Sequence, residues 1–251
     1  MKVFFHDDFY EEYSSEPAAE SGRMEAIVEA LGDRWDLIPC SPAFDEQILT
    51  AHTRDHINQV SRTGIYEIAA LAAGGAIETA ITAMTEPSFG LICPPGHHAS
   101  ESSFWGFCYF NNMAISLNHL RYYHGLQKAF LLDFDYHFGD GNVNILGDKD
   151  WVEILNPVAT DRQDYLEEVR ERLENTDAEV IAVSAGFDYH INDWGGLLRT
   201  EDYRLFGTLV RQAAERNGGG CYGLLEGGYN HNVLGKNVLA FLSGMAGDSK
   251  N

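Results

Sequence analysis

Long apolar runs are missing from this chain of 251 residues. Nowhere do eighteen apolar residues follow one another, and the apolar stretch near the first residue is only three residues long. A transmembrane helix needs about 20 apolar residues, and a signal peptide needs an apolar core of roughly 7–15. The sequence therefore predicts a soluble, cytoplasmic protein without a membrane partner.

Basic residues are scarce as well. Lys and Arg together number 17 against 38 Asp and Glu, which gives a formal net charge of −21. Such a surface repels phosphates, so we expect no nucleic-acid partner, and it favours cationic small molecules or basic tails. An acidic surface that only keeps the protein soluble is the simpler explanation, and composition alone favours it.

Cysteine pairs are the third absence. The four cysteines form no CxxC pair, which argues against a disulfide framework and against a cysteine-ligated zinc site. No compositional break or repeat interrupts the chain, and a length of 251 residues fits one large domain. We therefore expect a single domain over residues 1–251.

Short apolar runs alternate with helix-like segments along the chain. The predicted strands lie at residues 3–5, 89–93, 129–135, 151–155, 179–186 and 221–228. The predicted helices lie at residues 66–85, 111–124, 164–173 and 201–216, the last after an N-cap at Thr200. Strands that are apolar on both faces and alternate with helices indicate an α/β fold, with one central parallel sheet flanked by helices on both faces.

Chemically active side chains follow four of the predicted strands directly. These clusters lie at residues 94–99, 133–141, 186–196 and 226–230. In an open parallel sheet, ligands bind outside the carboxyl ends of the strands. The four loops should therefore meet at one edge of the sheet and form one site.

The segment DFDYH at residues 133–137 carries the first set of candidate ligands. Side chains of an extended chain alternate with a period of two, so Asp133, Asp135 and His137 point to the same side. A carboxylate and an imidazole suit zinc, and three protein ligands leave one position open for water, as in catalytic zinc sites. Asp188, after a later strand, is the natural third ligand.

A second interpretation of this segment is that Asp133 and Asp135 cap the following helix, which is a common use of Asp. The segment alone leaves both interpretations open. Burying two aspartates at the end of an apolar strand is costly unless a metal or hydrogen bonds compensate, and this cost favours a site.

Two further loops carry acid–base groups. In PPGHHA at residues 94–99, the adjacent His97 and His98 can exchange protons near neutral pH, although a lone histidine is more often structural. In LEGGYN at residues 225–230, Tyr229 can donate a hydrogen bond to an oxyanion. A plain tight turn is the alternative for these glycines, which lack the spacing and the Lys of a phosphate loop.

The motifs PPGHHA, GFCYFNN, DFDYHFGDG, VSAGFDYH and EGGYN occur in this order between residues 91 and 230. This combination resembles the histone deacetylase and acetylpolyamine amidohydrolase superfamily. The resemblance implies the arginase/deacetylase fold and a zinc-dependent deacetylase that acts on an acylated amine such as acetyl-lysine or an acetylpolyamine. It implies Zn²⁺ bound by Asp135, His137 and Asp188, and it leaves open whether the cell loads Zn²⁺ or Fe²⁺.

The same matching implies catalytic roles. His98 resembles the general base that takes a proton from zinc-bound water and later returns it to the leaving amine, while His97 supplies electrostatic help. Asp133 matches the carboxylate that orients His97. Asp140 matches the one that orients His98. Tyr229 matches the phenol that donates a hydrogen bond to the tetrahedral oxyanion.

Substrate contacts are implied less completely. Gly106 and Phe107 match one wall of a narrow tunnel for an extended aliphatic chain, and Trp194 lies near the gatekeeping position at its rim. The chain departs from the family where Phe138 replaces a second histidine. The stretch at residues 151–179 is also too short for the usual glycine- and aromatic-rich loop, so the sequence identifies no second aromatic wall.

A structural potassium ion of the family would lie at Asp133, Asp135 and His137. The chain reads EILNP at residues 153–157, where relatives carry a hydroxyl ligand, and this difference argues against that ion.

Two other functions stay open. A ureohydrolase shares the fold but needs two manganese ions, whereas the sequence offers donors for one metal. A non-catalytic acyl-amine-binding protein is the other, and the intact acid–base residues argue against it. The sequence predicts no oligomeric state.

Overall fold

The structure of the protein is a computed structural model, which describes residues 1–247. Within these residues there are seven strands: β1 Lys2–Phe5, β2 Leu37–Pro39, β3 Ser88–Gly90, β4 Ala129–Asp133, β5 Val152–Leu155, β6 Val180–Ala185 and β7 Gly220–Leu225. They are parallel and form one sheet in the order β2-β1-β3-β7-β6-β4-β5. The predicted α/β fold with a parallel sheet is confirmed.

Nine α-helices of the described residues flank this sheet. They are α1 Arg23–Leu31, α2 Asp45–Ile48, α3 Arg54–Thr63, α4 Tyr66–Ala83, α5 Asn112–Tyr123, α6 Asp140–Leu146, α7 Arg162–Asn175, α8 Thr200–Asn217 and α9 His231–Ala246. Short 3₁₀ turns span Asp7–Tyr10, Pro17–Ala19 and Gly32–Arg34. None of the helices described here combines the length and the apolar character needed to cross a membrane.

The central strands are buried because their side chains are apolar on both faces. All five residues of β4 and all six residues of β6 are buried. In their register Leu132 lies opposite Val183, and Asp133 lies opposite Ser184 at the carboxyl ends of the two strands. The apolar pairs stabilise the sheet by burial, and the polar pair lies at the carboxyl edge of the sheet, where ligands bind in parallel sheets.

Several local features differ from the sequence predictions, and helices α1, α3 and α9 are among the elements that were not predicted. The edge strand β2 was not predicted, because three residues are too short to give a period-two or an apolar pattern. Helix α8 begins at Thr200, so its N-cap is Arg199 and the prediction of a Thr200 cap was wrong. The Arg199 N–H donates to Asp202 at 2.8 Å, whereas the Thr200 hydroxyl donates to Asn237 at 2.7 Å.

The loops after β3, β4, β6 and β7 meet at the carboxyl edge of the sheet, as predicted. His97, after β3, lies 3.1 Å from Asp133 at the end of β4. The N–H of Gly227, after β7, donates to Asp135 at 2.9 Å. Since parallel strands all end at the same edge, residues far apart in the sequence come together here.

Candidate active site

Asp135, His137 and Asp188 converge at this edge. One potential ligand atom of each lies within 4.8 Å of the others. Nδ1 of His137 is 3.1 Å from Oδ1 of Asp135 and 3.0 Å from Oδ2 of Asp188. Oδ2 of Asp188 is buried and accepts no hydrogen bond of good geometry. Two carboxylates, one imidazole and a buried oxygen without a donor fit a divalent metal such as Zn²⁺.

Glycines leave room for these carboxylates. A Cβ atom added to Gly186 would clash with Asp135, and one added to Gly227 would lie 2.7 Å from Oδ2 of Asp188. Backbone N–H groups fix the carboxylates further, because Tyr136 donates to Oδ1 of Asp188 at 3.0 Å. The ligand-bearing side chains are thus held in place by the loops that follow β4, β6 and β7.

The helix-cap interpretation of the two aspartates is not supported. Helix α6 begins at Asp140, and its N-cap is Gly139, which provides no side-chain cap. Asp133 instead accepts the N–H of Asp135 at 3.3 Å, and Asp135 accepts the N–H of His137 at 2.8 Å. These aspartates therefore organise the candidate metal-binding loop and not the helix.

The charges of Asp135, His137 and Asp188 favour the binding of a cation. The adjacent carboxylates of Asp135 and Asp188 raise the pKa of His137 to about 10. Burial raises the pKa of Asp188 to about 7, while the charge of His97 and the hydrogen bonds of His137 hold the pKa of Asp135 below its ordinary value against the effect of burial. Two buried carboxylates this close are costly unless positive charge compensates them.

His97 is paired with Asp133. Its Nδ1 lies 3.1 Å from Oδ2 of Asp133, and Nδ2 of Asn142 donates to the same oxygen at 3.0 Å. Burial alone would lower the pKa of His97, but the charges of Asp135 and Asp133 outweigh burial and raise that pKa well above its ordinary value. The two carboxylates therefore favour the protonated form of His97, and the predicted pairing of His97 with Asp133 is present.

His98 has a different partner and a different charge. Its Nδ1 lies 2.7 Å from Oδ1 of Asp140, as predicted. Burial and the charge of His97 lower the pKa of His98 to about 4. Its ring lies 4.0 Å from that of His97 and 5.9 Å from that of His137, measured between centroids. An unprotonated imidazole thus stands beside the candidate metal ligands.

Gly106 and Phe107 form a tight turn against His98. Both have positive φ angles, 59° and 67°, and only a glycine adopts this conformation without strain. A Cβ atom at Gly106 would also overlap the ring of His98. Beyond the turn, the ring of Phe107 meets that of Tyr229 edge-on at 6.1 Å. The two predicted wall residues do lie at the candidate site.

Tyr229 and Trp194 close another side of the site. Burial raises the pKa of the Tyr229 phenol well above its ordinary value, so it stays protonated. The indole of Trp194 stacks on this ring at 4.0 Å and meets His137 edge-on at 5.9 Å. Beside them lies an open pocket of about 560 Å³ with polar lining, which is formed by Glu20, Asn192, Asp193, Trp194, Tyr229, Asn230, His231 and Asn232.

Sequence reasoning assigned no role to Glu226, although it lies in the EGGYN motif. This buried carboxylate accepts the N–H groups of Gly96 and His97 at 2.7 and 3.1 Å. Glu226 therefore connects the loop that carries Tyr229 to the loop that carries His97 and His98.

Glu226 also forms a second group of potential metal ligands with His97 and Cys108. In that group, Nδ1 of His97 and one oxygen of Glu226 already have partners within the protein.

Trp105 was also missed, although it directly precedes Gly106. Its Nε1–H donates to Oδ2 of Asp140 at 2.9 Å, and its ring lies 4.0 Å from that of His98. No periodic pattern could reveal this contact, because it joins a loop residue to the first residue of helix α6. Only the position of Trp105 next to the predicted wall residues gave a signal.

The parallel sheet with candidate metal ligands at its carboxyl edge defines an α/β enzyme with a candidate metal-dependent active site. Residues 18–165 match the family model described as the histone deacetylase domain. A probable deacetylase of Methanothermobacter thermautotrophicus is 30% identical, over 98% of this chain and 91% of that protein. The chain belongs to the histone deacetylase family.

Other relatives support a deacetylase function. A histone deacetylase-like amidohydrolase of Pseudomonas aeruginosa is 26% identical over 89% of this chain and 75% of that protein. The polyamine deacetylase HDAC10 of Mus musculus is 26% identical over 84% of this chain, which spans 38% of that longer protein. The crystal structure of the HDA15 HD domain superposes with a TM-score of 0.86 at 20% identity, over 100% of this chain and 90% of that one, and shares the fold.

Proposed function

We propose that residues 1–251 act as one catalytic domain, a zinc-dependent amidohydrolase that deacetylates an acylated amine such as acetyl-lysine or an acetylpolyamine. The observation that carries this proposal is the meeting of three kinds of group at one sheet edge. Metal-type donors and two histidines paired with carboxylates lie there, and a protonated tyrosine lies on a loop at the same edge. Amide hydrolysis by activated water needs this combination.

The metal would be held by Asp135, His137 and Asp188, which offer one nitrogen and two carboxylate oxygens. When bound, Zn²⁺ supplies a Lewis acid that polarises the amide carbonyl and makes water a better nucleophile at neutral pH. This donor set suits Zn²⁺, and Fe²⁺ is the alternative because imidazole and carboxylate bind both ions. The segment EILNP at residues 153–157 carries no hydroxyl side chain in place of the family's hydroxyl ligand, so we propose no structural potassium.

His98 is the proposed general base. Its low pKa leaves it unprotonated at neutral pH, and Asp140 holds its Nδ1, so Nε2 is free to take a proton from the attacking water. His98 then returns this proton to the nitrogen of the leaving amine. His97 keeps its proton, because Asp133 and Asp135 stabilise the imidazolium, and it offsets negative charge that develops nearby.

Tyr229 is the proposed donor to the oxyanion. Its phenol stays protonated at every relevant pH, so it can donate a hydrogen bond as the carbonyl oxygen gains charge. A donor of this kind contributes about 3–4 kcal/mol to the transition state in comparable sites. The backbone N–H of Tyr229 donates to Asp193 at 2.9 Å, which fixes the start of its side chain.

The substrate would enter between aromatic walls. Gly106 and Phe107 form one wall and Trp194 another, and such a slot suits a slender unbranched aliphatic chain. The polar pocket of about 560 Å³ beside Trp194 would receive the remainder of the amine. The net charge of −21 and the relatives named polyamine deacetylase support a small cationic amine or a lysine side chain as substrate.

The two alternatives predict different outcomes. A ureohydrolase would need a second metal, yet Phe138 brings no donor and Asp133 is already bonded to His97 and Asn142. A non-catalytic acyl-amine-binding protein would not need two adjacent histidines that are each paired with a carboxylate. Neither alternative uses all the residues that meet at the site.

The test is a hydrolysis screen with enzyme of measured metal content. Substrates would be acetyl-lysine peptides, acetylputrescine, acetylspermidine and amides with longer acyl groups. We expect metal-dependent release of the amine, with kcat/KM lowered about 1,000-fold in His98→Ala and about 100-fold or more in Tyr229→Phe. Tyr123→Phe and His124→Ala, on the exposed end of α5, are controls. Binding of acetylated amines without turnover would identify a binding protein, and full activity of both variants would refute the mechanism.

A further inference from the structure

Trp105 makes two contacts to the proposed general base and its partner. Its indole Nε1–H donates to Oδ2 of Asp140 at 2.9 Å. Its ring lies against that of His98, with centroids 4.0 Å apart and planes 32° apart. Yet 53% of the surface of Trp105 is exposed, so burial in the core does not explain its position. The two contacts are specific to the pair of Asp140 and His98.

Asp140 needs such a partner. It is the first residue of the short helix α6, and 44% of its side chain is exposed. Oδ1 faces Nδ1 of His98, and Oδ2 accepts from Trp105. A half-exposed carboxylate with only one partner can rotate into water and release the imidazole. The second hydrogen bond fixes its rotation, because both oxygens are then engaged.

The backbone around Trp105 is strained in a way that fits this role. Phe107 has a φ of 67°, and it is the one non-glycine residue with positive φ among residues 1–247. Gly106 before it also has positive φ, at 59°. Two consecutive residues of this kind bend the chain sharply, and such strain is kept where surrounding contacts or function require it. The bend lets Trp105 and Phe107 border the same site.

We infer that Trp105 is a positioning residue, which holds Asp140 and thereby the ring of His98 in the orientation for proton transfer. This inference rests on the proposed function, because it assigns Trp105 a part in the same reaction. It goes beyond that function, because it gives a tryptophan a part in orienting the general base. The indole of Trp105 fixes the carboxylate of Asp140, and this carboxylate fixes Nδ1 of His98. Nε2 of His98 then remains directed to the reacting water.

The substitution Trp105→Phe keeps an aromatic ring over His98 and removes the N–H donor. We expect kcat to fall about 10-fold with KM changed less than about 2-fold, because the loss acts on proton transfer and not on substrate binding. Trp105→Ala removes the ring as well, and kcat should fall about 100-fold. Trp151→Phe is the matched control, since its ring lies against Arg121 and not against His98.

A double-mutant cycle separates positioning from general disturbance. If Trp105 acts through Asp140, then Trp105→Phe should change kcat less than about 2-fold in an Asp140→Ala background. In a Tyr229→Phe background, it should still lower kcat about 10-fold, because Tyr229 acts by a separate route. Equal 10-fold effects in both backgrounds would overturn the inference, and so would an unchanged kcat in Trp105→Phe alone.

A readout independent of activity completes the test. In protein labelled with ¹⁵N at tryptophan, the indole N–H resonance that disappears in Trp105→Phe belongs to Trp105. Asp140→Ala should shift this resonance and speed its exchange with solvent, while the other three indole resonances stay in place. An unshifted resonance would overturn the inference. A wild-type protein that hydrolyses no amide would refute the proposed function, whereas an active wild type with a fully active Trp105→Phe variant refutes only the role of Trp105.

Discussion

The indole of Trp194 stacks on the phenol of Tyr229, with ring centroids 4.0 Å apart and an interplanar angle of 26°. Trp194 is 51% exposed, so one face covers the proposed oxyanion donor while the rest of the ring borders the entrance. It also meets His137 edge-on at 5.9 Å. Trp194 thus joins the proposed oxyanion donor to a candidate metal ligand at the rim of the site.

Removal of this ring should weaken substrate binding. An aromatic contact is worth about 0.5–1.5 kcal/mol, so Trp194→Ala should raise KM for acetylputrescine or an acetyl-lysine peptide about 2–12-fold. Trp194→Phe, which can still stack, should raise KM less. Steady-state kinetics on both substrates provide the measurement, with Tyr122→Ala, an exposed aromatic position on α5, as the control. An unchanged KM in Trp194→Ala would show that the indole lines no substrate path.

Loss of one metal ligand should empty the site. Asp188 is fully buried and lies 3.0 Å from His137, so Asp188→Ala removes a carboxylate that no other side chain replaces. We expect the metal content, measured by mass spectrometry, to fall from about one ion per chain to near zero, and hydrolysis to fall with it. Asp148→Ala, at a residue exposed in the turn after α6, should keep both. Two ions per chain in the wild type would favour the ureohydrolase alternative.

Gly106 should be essential for the position of the His98 ring and not for folding. Gly106 and Gly125 both have positive φ, 59° and 74°, so a change to Ala costs each roughly 1–2 kcal/mol of stability. Only the Cβ at position 106 would overlap the ring of His98, and nothing lies within 4 Å of one at position 125. We expect Gly106→Ala to lower kcat on the order of 100-fold. Gly125→Ala should lose similar stability in urea unfolding and keep its kcat, and a similar kcat loss in both would contradict this account.

Much of the site followed from the sequence, because parallel strands impose where their ends lie. Once the apolar runs before Asp133 and Gly186 are assigned to neighbouring buried strands, the residues just beyond them must meet. The pairs His97 with Asp133 and His98 with Asp140 were expected from the family resemblance, and both contacts are present. Their catalytic roles remain predictions.

Contacts between loops could not be predicted in the same way. The stack of Trp194 on Tyr229 and the hydrogen bond from Trp105 to Asp140 depend on loop conformations that no period in the sequence encodes. Glu226 joins the backbone of one loop to that of another, which only the folded chain reveals. Short elements such as β2 could not be predicted for a related reason, since three residues are too few to show a hydrophobic period.

His52 should make folding sensitive to acid. Its Nδ1–H donates to the carbonyl of Ser100 at 2.9 Å, and its Nε2 accepts the N–H of Asn111 at 2.8 Å, so the ring must be neutral. Burial and the neighbouring His56 lower the pKa of His52 to about 3 from 6.5. Because the pKa of His52 is lowered in the folded state, its contribution to stability is present above pH 6.5 and is lost as the pH falls toward 3.

We expect His52 to cause a loss of about 2 kcal/mol in the free energy of unfolding between pH 7 and pH 5. Urea unfolding of His52→Gln should lack that part of the pH dependence, whereas His124→Gln, at an exposed position, should retain it. The same pH slope in His52→Gln and in the wild type would mean that other groups cause the acid sensitivity.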